Sequence, residues 1–307
     1  MVISMETDLV SILIPVFNGS KYLIEFLNSL KEQDYKKIQL VIRDDGSSDN
    51  SVEICQKWIA ENQNQFFSVL FDAQGRNLGL SGNISELAKM AQGEFVFLAD
   101  QDDIWLSNKV SYQVQYMRQH LDCALSLSDR SIADENMQVI EKSNYLYAGY
   151  TTKVMNFDEV VKHRGAFAAN TMCIRNYSDK IFNLPNKLIL HDTFIAVMAS
   201  YYGTVDFIFE PLLLYRVHRN NLSGNFSAQF SRNIFECFIK NYKACKRLVA
   251  SNTHDDKIIK DELMNRFQVN LDDYSNCFSE HREKSRVKNA WIRTRKAIND
   301  GKIGIWR

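Results

Sequence analysis

The stretch Phe95-Val96-Phe97-Leu98-Ala99-Asp100-Gln101-Asp102-Asp103-Ile104-Trp105 decides the fold of this chain. Its first five residues are apolar and come soon after Gly93, a pattern typical of a short, fully buried strand in a parallel sheet. Three carboxylates then follow within four residues, and such crowding is costly unless a cation or hydrogen-bond donors compensate for it. Because open α/β sheets bind ligands at the carboxyl ends of their strands, we expect Mg²⁺ or Mn²⁺ here, shared with a nucleoside diphosphate. The alternative is a solvated acidic turn that caps the next helix.

The composition narrows the class of protein. The chain has 307 residues, with 37 Lys+Arg against 37 Asp+Glu and 45% hydrophobic residues, which predicts a globular protein with no net charge to attract nucleic acid. The six cysteines are scattered without a CxxC pair, which favours reduced thiols. The first residues lack the pattern of a secretory signal, and no run is long enough to span a membrane. We therefore expect a cytoplasmic protein that lies at most peripherally on the cytoplasmic face of the inner membrane.

Strand-like and helix-like segments alternate through the N-terminal part of the chain. Apolar strands are predicted at residues 9–17, 38–42, 66–71 and 95–99, and the segments between them place apolar residues at helical spacing. This alternation predicts a parallel, right-handed α/β sheet.

Two further carboxylates follow the second predicted strand. Asp44 and Asp45 begin a polar turn that continues to Asp49, and parallel strands would bring that turn close to residues 100–103. One carboxylate could then accept hydrogen bonds from a base or ribose while another holds a metal. A turn that caps the following helix explains part of this pattern, but two carboxylates are more than a cap requires.

Two more candidate residues lie further along the chain. Asp192 stands at the entrance of an apolar helix, where it is either an N-cap or a general base at a pocket rim. His218 belongs to residues 216–224, a loop dense in hydrogen-bond donors that is fit to fold over a phosphate. A lone histidine is more often structural than a ligand, so both interpretations of His218 stay open.

The composition changes at Asn225. Residues 225–307 have helical spacing and no strand-like segment, and their last part is rich in Lys and Arg interleaved with Trp and Ile. Such a segment could lie on an anionic membrane surface; a basic solvated helix face or a dimer contact explains it equally well.

Four motifs, in this order and spacing, resemble inverting family 2 glycosyltransferases of the GT-A fold. They are residues 10–19, residues 41–49, Asn77-Leu78-Gly79 and residues 100–105, and the resemblance covers residues 8–222. Residues 190–194 and 215–218 look like the bacterial rhamnosyltransferase branch that builds surface polysaccharides. The resemblance implies an α/β catalytic domain at residues 1–224, with the Rossmann-like, mostly parallel sheet of nucleotide-diphospho-sugar transferases. A helical, basic C-terminal extension would follow at residues 225–307.

The resemblance also implies which residues bind the donor. Pro15, Val16 and Asp45 would line the nucleoside pocket, with Asp45 on the base, and Arg76 would lie near the nucleotide. Asp100 would contact the ribose or the sugar. The remaining donor-binding candidates are Phe17, Asn18, Asp44 and Gln101.

The same resemblance implies a metal site and a general base. Within the Asp-x-Asp motif, Asp102 would bind the Mg²⁺ or Mn²⁺ that bridges the diphosphate, and His218 would supply another metal or phosphate contact. Asp192 matches the general base, preceded here by His191 where many relatives have Glu. The candidate acceptor or phosphate contacts are Asp103, Trp105, His191 and Arg216.

The expected function is metal-dependent transfer of a sugar with inversion, from dTDP-L-rhamnose to a lipid-linked surface polysaccharide intermediate. A UDP-hexose donor (glucose, galactose or N-acetylglucosamine) is the close alternative, and a non-catalytic nucleotide-sugar-binding module is the non-enzymatic one. A phosphatase with Asp100 as its nucleophile is disfavoured, because such enzymes usually place an Asp-x-Asp pair after their first strand. A dehydrogenase is disfavoured because residues 75–79 lack the glycine-rich dinucleotide turn. The expected partners are a nucleotide sugar, a glycan acceptor and, through the extension, a membrane surface.

Overall fold

The computed structural model describes most of the chain up to Asn221. The described residues are 6–73, 76–148, 151–156, 159–160, 167–177, 179–182, 184, 191–218 and 221. The predictions that concern Gly75, residues 188–190, residues 219–220 and everything from residue 222 onward, including the helical extension, lie outside these residues. The domain boundary at residue 224 therefore stays a prediction.

The first half of the fold is the predicted alternation of strands and helices. Its elements are β1 (Glu6–Val16), α1 (Leu23–Lys31), β2 (Ile38–Asp44), α2 (Ser51–Asn62), a 3₁₀ turn (Gln63–Gln65), β3 (Ser68–Asp72), α3 (Gly79–Lys89) and β4 (Gly93–Leu98). The four strands pair in parallel in the order β3-β2-β1-β4. Every residue of β2 is buried, including the polar Gln39, Arg43 and Asp44, as expected of a strand covered on both faces.

The second half continues the same sheet with mixed strand directions. Its elements are β5 (Ile104–Trp105), α4 (Lys109–Gln119), β6 (Cys123–Ala133), β7 (Val139–Glu141), α5 (Asn144–Ala148), β8 (Val154–Met155), a 3₁₀ turn (Ala169–Thr171), β9 (Met172–Arg175), α6 (Asp179–Phe182), α7 (His191–Ser200) and β10 (Thr204–Arg216). From β4 the order runs β9-β6-β10-β5, with β7 on β6 and β8 on β10. The fold is therefore mixed α/β, and parallel pairs still contain most of the paired residues.

Strand directions bring the carboxyl ends of four strands to one edge of the sheet. β9 is antiparallel to both β4 and β6, so β4 and β6 run the same way, and β10 is parallel to β6. Residues that follow β1, β2, β4 and β10 consequently meet at this edge, which we call the carboxyl edge. It is where ligands bind in open α/β sheets.

The structure extends β6 beyond the strand that the sequence pattern predicts. The apolar pattern predicts a strand only at residues 124–127, whereas β6 runs on to Ala133. Its polar residues Ser128 and Asp129 are buried, and Asp129 accepts hydrogen bonds from the backbone of Arg130 and Tyr145 at 2.7 and 3.0 Å. Because internal hydrogen bonds satisfy these polar groups, the strand continues where its hydrophobic pattern stops.

Two expectations from the composition concern the state of the cysteines and the presence of membrane-spanning helices. Cys55, Cys123 and Cys173 are buried free thiols there, and burial raises the pKa of Cys55 and Cys173 to about 12. No helix within the described part of the chain has the length and apolar character needed to cross a membrane.

A lysine is buried beneath the carboxyl edge. Lys109 has no exposed surface, and its Nζ donates to Gln113 Oε1 at 2.6 Å and lies 4.9 Å from the centre of the Trp105 ring. Burial lowers the pKa of Lys109 to about 7, against the opposing attraction of Cys173 and Asp103. The unfolded chain therefore binds one more proton than the folded chain between about pH 7 and pH 10.5, and this component of stability rises with pH across that window.

We predict that Lys109→Met flattens the rise in stability with pH. Above neutrality, the free energy of unfolding of the wild type should increase relative to that of the variant by on the order of 1 kcal/mol per pH unit. The reason is that the variant has no buried amine whose pKa changes on folding. Urea unfolding at a series of pH values measures this difference, and exposed Lys36→Met is the control. Parallel pH curves for the wild type and Lys109→Met would contradict the prediction.

Candidate active site

Hydrogen bonds join the loop after β1 to the loop after β2. Asn18 N and Gly19 N donate to Ser47 Oγ and Ser51 Oγ, each at 2.8 Å, and Ser48 N donates to Asn18 Oδ1 at 2.8 Å. Asn18 adopts a positive φ of 47°, a conformation that asparagine tolerates better than most residues. The two loops therefore form one rigid wall at the carboxyl edge. Pro15 is partly buried and Val16 fully buried behind it.

Gln101 joins this wall to the end of β4. Its Oε1 accepts from Phe17 N at 3.0 Å, and its Nε2 donates to Phe17 O at 2.8 Å. A Cβ at Gly19 would lie only 2.3 Å from Gln101 Oε1, so this arrangement requires glycine at position 19. The Phe17 side chain is left 45% exposed, which makes it an accessible aromatic surface for a nucleoside base.

The paired carboxylates after β2 have separate tasks. Asp44 Oδ2 accepts from Gly46 N and Ser47 N, both at 2.9 Å, and so closes the turn. Asp45 is buried, and its carboxylate accepts from Arg43 Nη1 at 2.9 Å and from the backbone of Leu78 and Gly79 at 2.8 and 2.9 Å.

Asn50, the N-cap residue of α2, makes no side-chain capping bond, but Asp49 Oδ1 accepts from Ser51 N, in the first turn of α2, at 3.0 Å. The alternative of a turn plus a helix cap is thus present in the structure, but Asp45 is not needed for either. Arg76 is exposed, and its carbonyl accepts from Arg43 Nη2 at 3.0 Å. The contact of Asp45 with a base stays a prediction. A base would have to share carboxylate oxygens that already accept hydrogen bonds from Leu78 N and Gly79 N.

The three carboxylates after β4 lie in three different environments. Asp103 is fully buried, with Oδ2 accepting from Asn170 Nδ2 at 2.5 Å and Oδ1 from Arg216 N at 3.2 Å. Asp102 Oδ2 lies 2.8 Å from His218 Nε2. Asp100 is partly buried; burial raises its pKa to about 7, and the neighbouring Asp102 carboxylate adds to the rise. Burial likewise raises the pKa of Asp103 well above its usual range.

The structure places Asp103, Trp105 and Arg216, which the sequence predicts as acceptor or phosphate contacts, inside the protein. Trp105 is 2% exposed and packs against Phe97 with ring centroids 5.9 Å apart. Arg216 is 1% exposed, and its Nη2 pairs with Glu25 Oε2 at 2.6 Å. With Asp103 also at 0% exposure, none of the three side chains has a surface for an acceptor, and their contacts serve to hold the site together.

Asp192 lies in the first turn of α7. The helix begins at His191, so Asp192 is inside the helix and not at its N-cap, and its Oδ1 accepts from Thr193 N at 2.7 Å. Both His191 and Asp192 are partly buried. Burial raises the pKa of Asp192, while the nearby His191 opposes that rise. A partly exposed carboxyl with a raised pKa is a reasonable general base.

The structure adds residues that the sequence did not reveal. Tyr22 lies between His218 and Arg216, 4.8 Å from the His218 ring and 4.5 Å from the Arg216 guanidinium carbon. Asn170 bonds to Asp103, as described above, and accepts from Arg130 Nη1 at 3.3 Å. Arg130 lies in the polar part of β6, in a stretch without a recognisable motif. No single-sequence signal links these three residues, because they come from distant parts of the chain.

The Asp102–His218 pair fits a divalent cation. Two neighbouring ligands of an octahedral ion lie about 3 Å apart when each is about 2.1 Å from the ion, and the two atoms here are 2.8 Å apart. The described residues contain no group of three His, Cys, Asp or Glu side chains that could hold a metal. The remaining ligands would therefore come from diphosphate oxygens and water, which is the usual manner of binding for Mg²⁺.

Comparison with known proteins identifies the family. The family model described as glycosyl transferase family 2 matches residues 11–182, more than half of the chain. The chain belongs to glycosyl transferase family 2. The family and transferase class inferred from the motifs are thereby confirmed.

Curated relatives of the family 2 chain cover most of its length. Glycosyltransferase GlyG of Streptococcus pneumoniae is 25% identical over 266 residues, covering 78% of this chain and 81% of GlyG. The putative teichuronic acid biosynthesis glycosyltransferase TuaG of Bacillus subtilis is 24% identical over 219 residues, covering 71% and 82% respectively.

Solved structures resemble the fold of the family 2 chain. Staphylococcus aureus TarS in complex with UDP-GlcNAc matches with a TM-score of 0.59 and 16% identity, covering 85% of this chain and 71% of TarS. The mannosyltransferase PcManGT of Pyrobaculum calidifontis, in complex with GDP-Man and Mn²⁺, matches with a TM-score of 0.53 and 13% identity, covering 85% and 69%. At these identities the likeness establishes the fold alone, and it agrees with the GT-A architecture expected from the motifs.

We predict that Asp102→Asn weakens Mn²⁺ binding to this family 2 chain in the presence of UDP by on the order of tenfold or more, because a charged oxygen ligand is replaced by a neutral one. Isothermal titration of Mn²⁺ measures the affinity, and His218→Ala should also weaken binding. Asp122→Asn, an exposed carboxylate in the turn before β6, is the matched control. Unchanged affinity in both variants would show that the pair does not hold the cation.

Proposed function

We propose that this chain is an inverting, metal-dependent glycosyltransferase that moves a sugar from a nucleotide donor to a lipid-linked intermediate of a surface polysaccharide. The observation that supports this most is the nearness of two features: the Asp102–His218 pair, whose atoms are 2.8 Å apart and suit a cation, and the Asp192 carboxyl, whose charge raises the pKa of Asp100 beside that pair. A module that only binds nucleotide sugars has no need for the second feature.

The donor would lie along the fastened loops after β1 and β2. The exposed ring of Phe17 would cover the base, and the backbone of that residue is held in place by Gln101. Asp100 would meet the ribose or the sugar. The other residues proposed for this surface are Pro15, Val16, Asn18, Asp44, Asp45 and Arg76.

The diphosphate would lie at Asp102 and His218. A divalent cation bound there supplies positive charge where negative charge builds on the departing nucleoside diphosphate. The protein's part is to hold the two ligand side chains in position. Tyr22 packs against the His218 ring, and Arg216 Nε donates to the carbonyl of Asp102 at 2.9 Å.

Asp192 would act on the acceptor. Its carboxylate takes the proton of an acceptor hydroxyl as the hydroxyl oxygen bonds to C1 of the sugar. The bond between C1 and the phosphate oxygen breaks on the opposite face, and its electron pair leaves with the nucleoside diphosphate. Attack from the face opposite the leaving group inverts the anomeric centre.

Two classes of nucleotide sugar are candidates for the donor. The motifs around residues 190–194 and 215–218 resemble enzymes that use dTDP-L-rhamnose. The complex of TarS with UDP-GlcNAc favours a UDP-hexose instead. The glycan acceptor is supported by the resemblance to TuaG, whose name assigns it to teichuronic acid synthesis.

Release of nucleoside diphosphate from a panel of donors tests the function. The panel contains dTDP-L-rhamnose, UDP-glucose, UDP-galactose and UDP-N-acetylglucosamine, each with Mn²⁺ and with EDTA, and with water or an alkyl glycoside as acceptor. We expect one donor to be cleaved only when metal is present, and that donor identifies the sugar. Cleavage that persists in EDTA would contradict metal dependence, and a failure to bind any donor by calorimetry would contradict the transferase proposal.

We predict that Asp192→Asn lowers kcat by roughly 10²–10⁴-fold, because the amide cannot accept the acceptor proton. The Kd of the donor, measured by calorimetry with Mn²⁺, should stay close to that of the wild type, since Asp192 acts on the acceptor. Glu53→Gln, which changes the exposed acid in the first turn of α2, is the matched control. Near-normal turnover by Asp192→Asn would remove this residue from the role of base.

A further inference from the structure

Arg43 forms a buried junction at the carboxyl end of β2. Its guanidinium contacts the residue that follows β2, the end of β3, the loop after β3 and α3. The contacts are Nη1 with Asp45 Oδ1 at 2.9 Å and Asn83 Oδ1 at 3.2 Å, Nη2 with the carbonyl of Arg76 at 3.0 Å, and Nε with Asp72 Oδ2 at 3.3 Å. Since Arg43 is only 5% exposed, these contacts fix its guanidinium against the Asp45 carboxylate.

The hydrogen bonds of Asp45 leave one acceptor position unused. A carboxylate accepts about four hydrogen bonds, two at each oxygen. Asp45 Oδ1 accepts from Arg43 Nη1 and Leu78 N, which fills both of its positions, whereas Oδ2 accepts from Gly79 N alone among the described residues. The side chain is 4% exposed, so only a small part of it can meet a ligand. One further N–H donor can therefore bind to Asp45, at Oδ2.

The same carboxylate belongs to the residue beside the aromatic ring proposed to cover the base. Asp45 N donates to the carbonyl of Val16 at 2.8 Å, and Val16 directly precedes Phe17. The parallel pairing of β1 with β2 places Val16 opposite Asp44, so Phe17 and Asp45 follow neighbouring strands at the same level. The Phe17 ring is exposed. A flat base stacked on this ring would lie next to the Asp45 carboxylate.

The bases of nucleotide sugars differ in the N–H groups on their pairing edge. Uracil and thymine present a single ring N–H, at N3, between two carbonyl oxygens. Guanine presents two adjacent donors, the ring N1–H and the 2-amino group, which together require both oxygens of a carboxylate. Because Arg43 and Leu78 already fill Oδ1, Asp45 can satisfy uracil or thymine but would leave one donor of guanine unpaired.

We infer that Arg43 sets the choice of base through Asp45: by filling Oδ1, it leaves a single acceptor position for the N3–H of uracil or thymine and disfavours guanine. Arg43 is thus a positioning residue for the donor, because it acts through the Asp45 carboxylate. The inference rests on the proposed function, which assigns Phe17 and Asp45 to the base of a nucleotide donor.

Binding of free nucleoside diphosphates tests the inference without an acceptor. The Kd values of UDP, GDP and N3-methyl-UDP are measured by calorimetry on the full chain with Mn²⁺. For the wild type, we expect GDP and N3-methyl-UDP each to bind more weakly than UDP by on the order of tenfold or more, because a buried polar group is left unpaired. N3-methyl-UDP differs from UDP only by a methyl group in place of the N3 hydrogen. Equal affinity of the wild type for these two nucleotides would overturn the inference, and this comparison needs no variant.

Arg43→Met separates the choice of base from a purely structural role. Loss of the guanidinium frees a position on Asp45 Oδ1, so the Kd of GDP divided by that of UDP should fall by on the order of tenfold from its wild-type value. A purely structural role would weaken both nucleotides equally, and an unchanged ratio would overturn the inference. Arg43→Lys keeps a cation that can donate to Oδ1 and should keep the ratio near that of the wild type. A fall in Arg43→Lys as large as in Arg43→Met would also overturn the inference.

Arg175→Met is the matched control. Arg175 is also an arginine on a strand, and it donates to the backbone carbonyls of Cys123 and Met117 at 3.3 and 3.0 Å. It pairs with Phe95 in the first half of β4, away from the carboxyl edge, so the control should keep the wild-type ratio of the two Kd values. An equal fall in the control would overturn the inference by showing a general effect of losing an arginine.

The binding test can fail separately from the proposed function. If the three nucleotides bind as expected but no donor sugar is transferred, the proposed transferase activity fails while the selection of the base by Arg43 stands. If a donor sugar is transferred but UDP, GDP and N3-methyl-UDP bind alike, the transferase activity stands and the inference is overturned.

Discussion

The crowding of carboxylates after β4 is the constraint on which the rest of the site depends. Asp100, Asp102 and Asp103 lie within four residues at the end of a buried strand, where desolvation and repulsion from neighbouring carboxylates raise the pKa of Asp100 and of Asp103. Each is compensated differently. Asp103 accepts hydrogen bonds from an amide and a backbone N–H, Asp102 is paired with a histidine, and the positive charge of Arg130 opposes the rise in the pKa of Asp100.

These compensations draw distant parts of the chain together. His218 and Arg216 follow or end β10, and both pack on Tyr22 at the start of α1, while Arg216 pairs with Glu25 of that helix. The end of β10 is thereby fastened to the first helix of the fold. The buried guanidinium of Arg216 donates to one carboxylate and two carbonyls. Replacing Arg216 would be costly, because it would leave buried polar groups unpaired. These contacts set the position of His218, the proposed metal ligand.

Much of the fold was predictable because its signals are local. Largely apolar runs predict β1, β2 and β4, and the residues that follow these strands form motifs specific enough to indicate the family. The proximity of Asp102 and His218 followed from the resemblance, and the structure brings their side chains within 2.8 Å. The length of β6 was missed because its polar half is stabilised by internal hydrogen bonds and not by apolar periodicity.

The roles of individual side chains were harder to predict, because a role depends on burial in three dimensions. Trp105 and Arg216 carry chemistry suited to sugars and phosphates, yet both are almost fully buried. Arg130 has no motif around it. Its contacts with Tyr215 and Asn170, and its electrostatic effect on the nearby carboxylates, are visible only in the folded structure. A sequence pattern can name residue types at a strand end, but it cannot show which of them face solvent.

The placement of charge also explains why the proposed cation ligands and the proposed base would be different residues. A carboxylate that binds a cation shares its charge with that ion and is a poor proton acceptor, so Asp102 could not serve both purposes. Asp192 lies on α7, outside the cluster that follows β4, and its raised pKa makes it more basic than an ordinary aspartate. Too large a rise would leave Asp192 protonated and unable to accept a proton, and the nearby His191 and Arg130 both oppose the rise in its pKa.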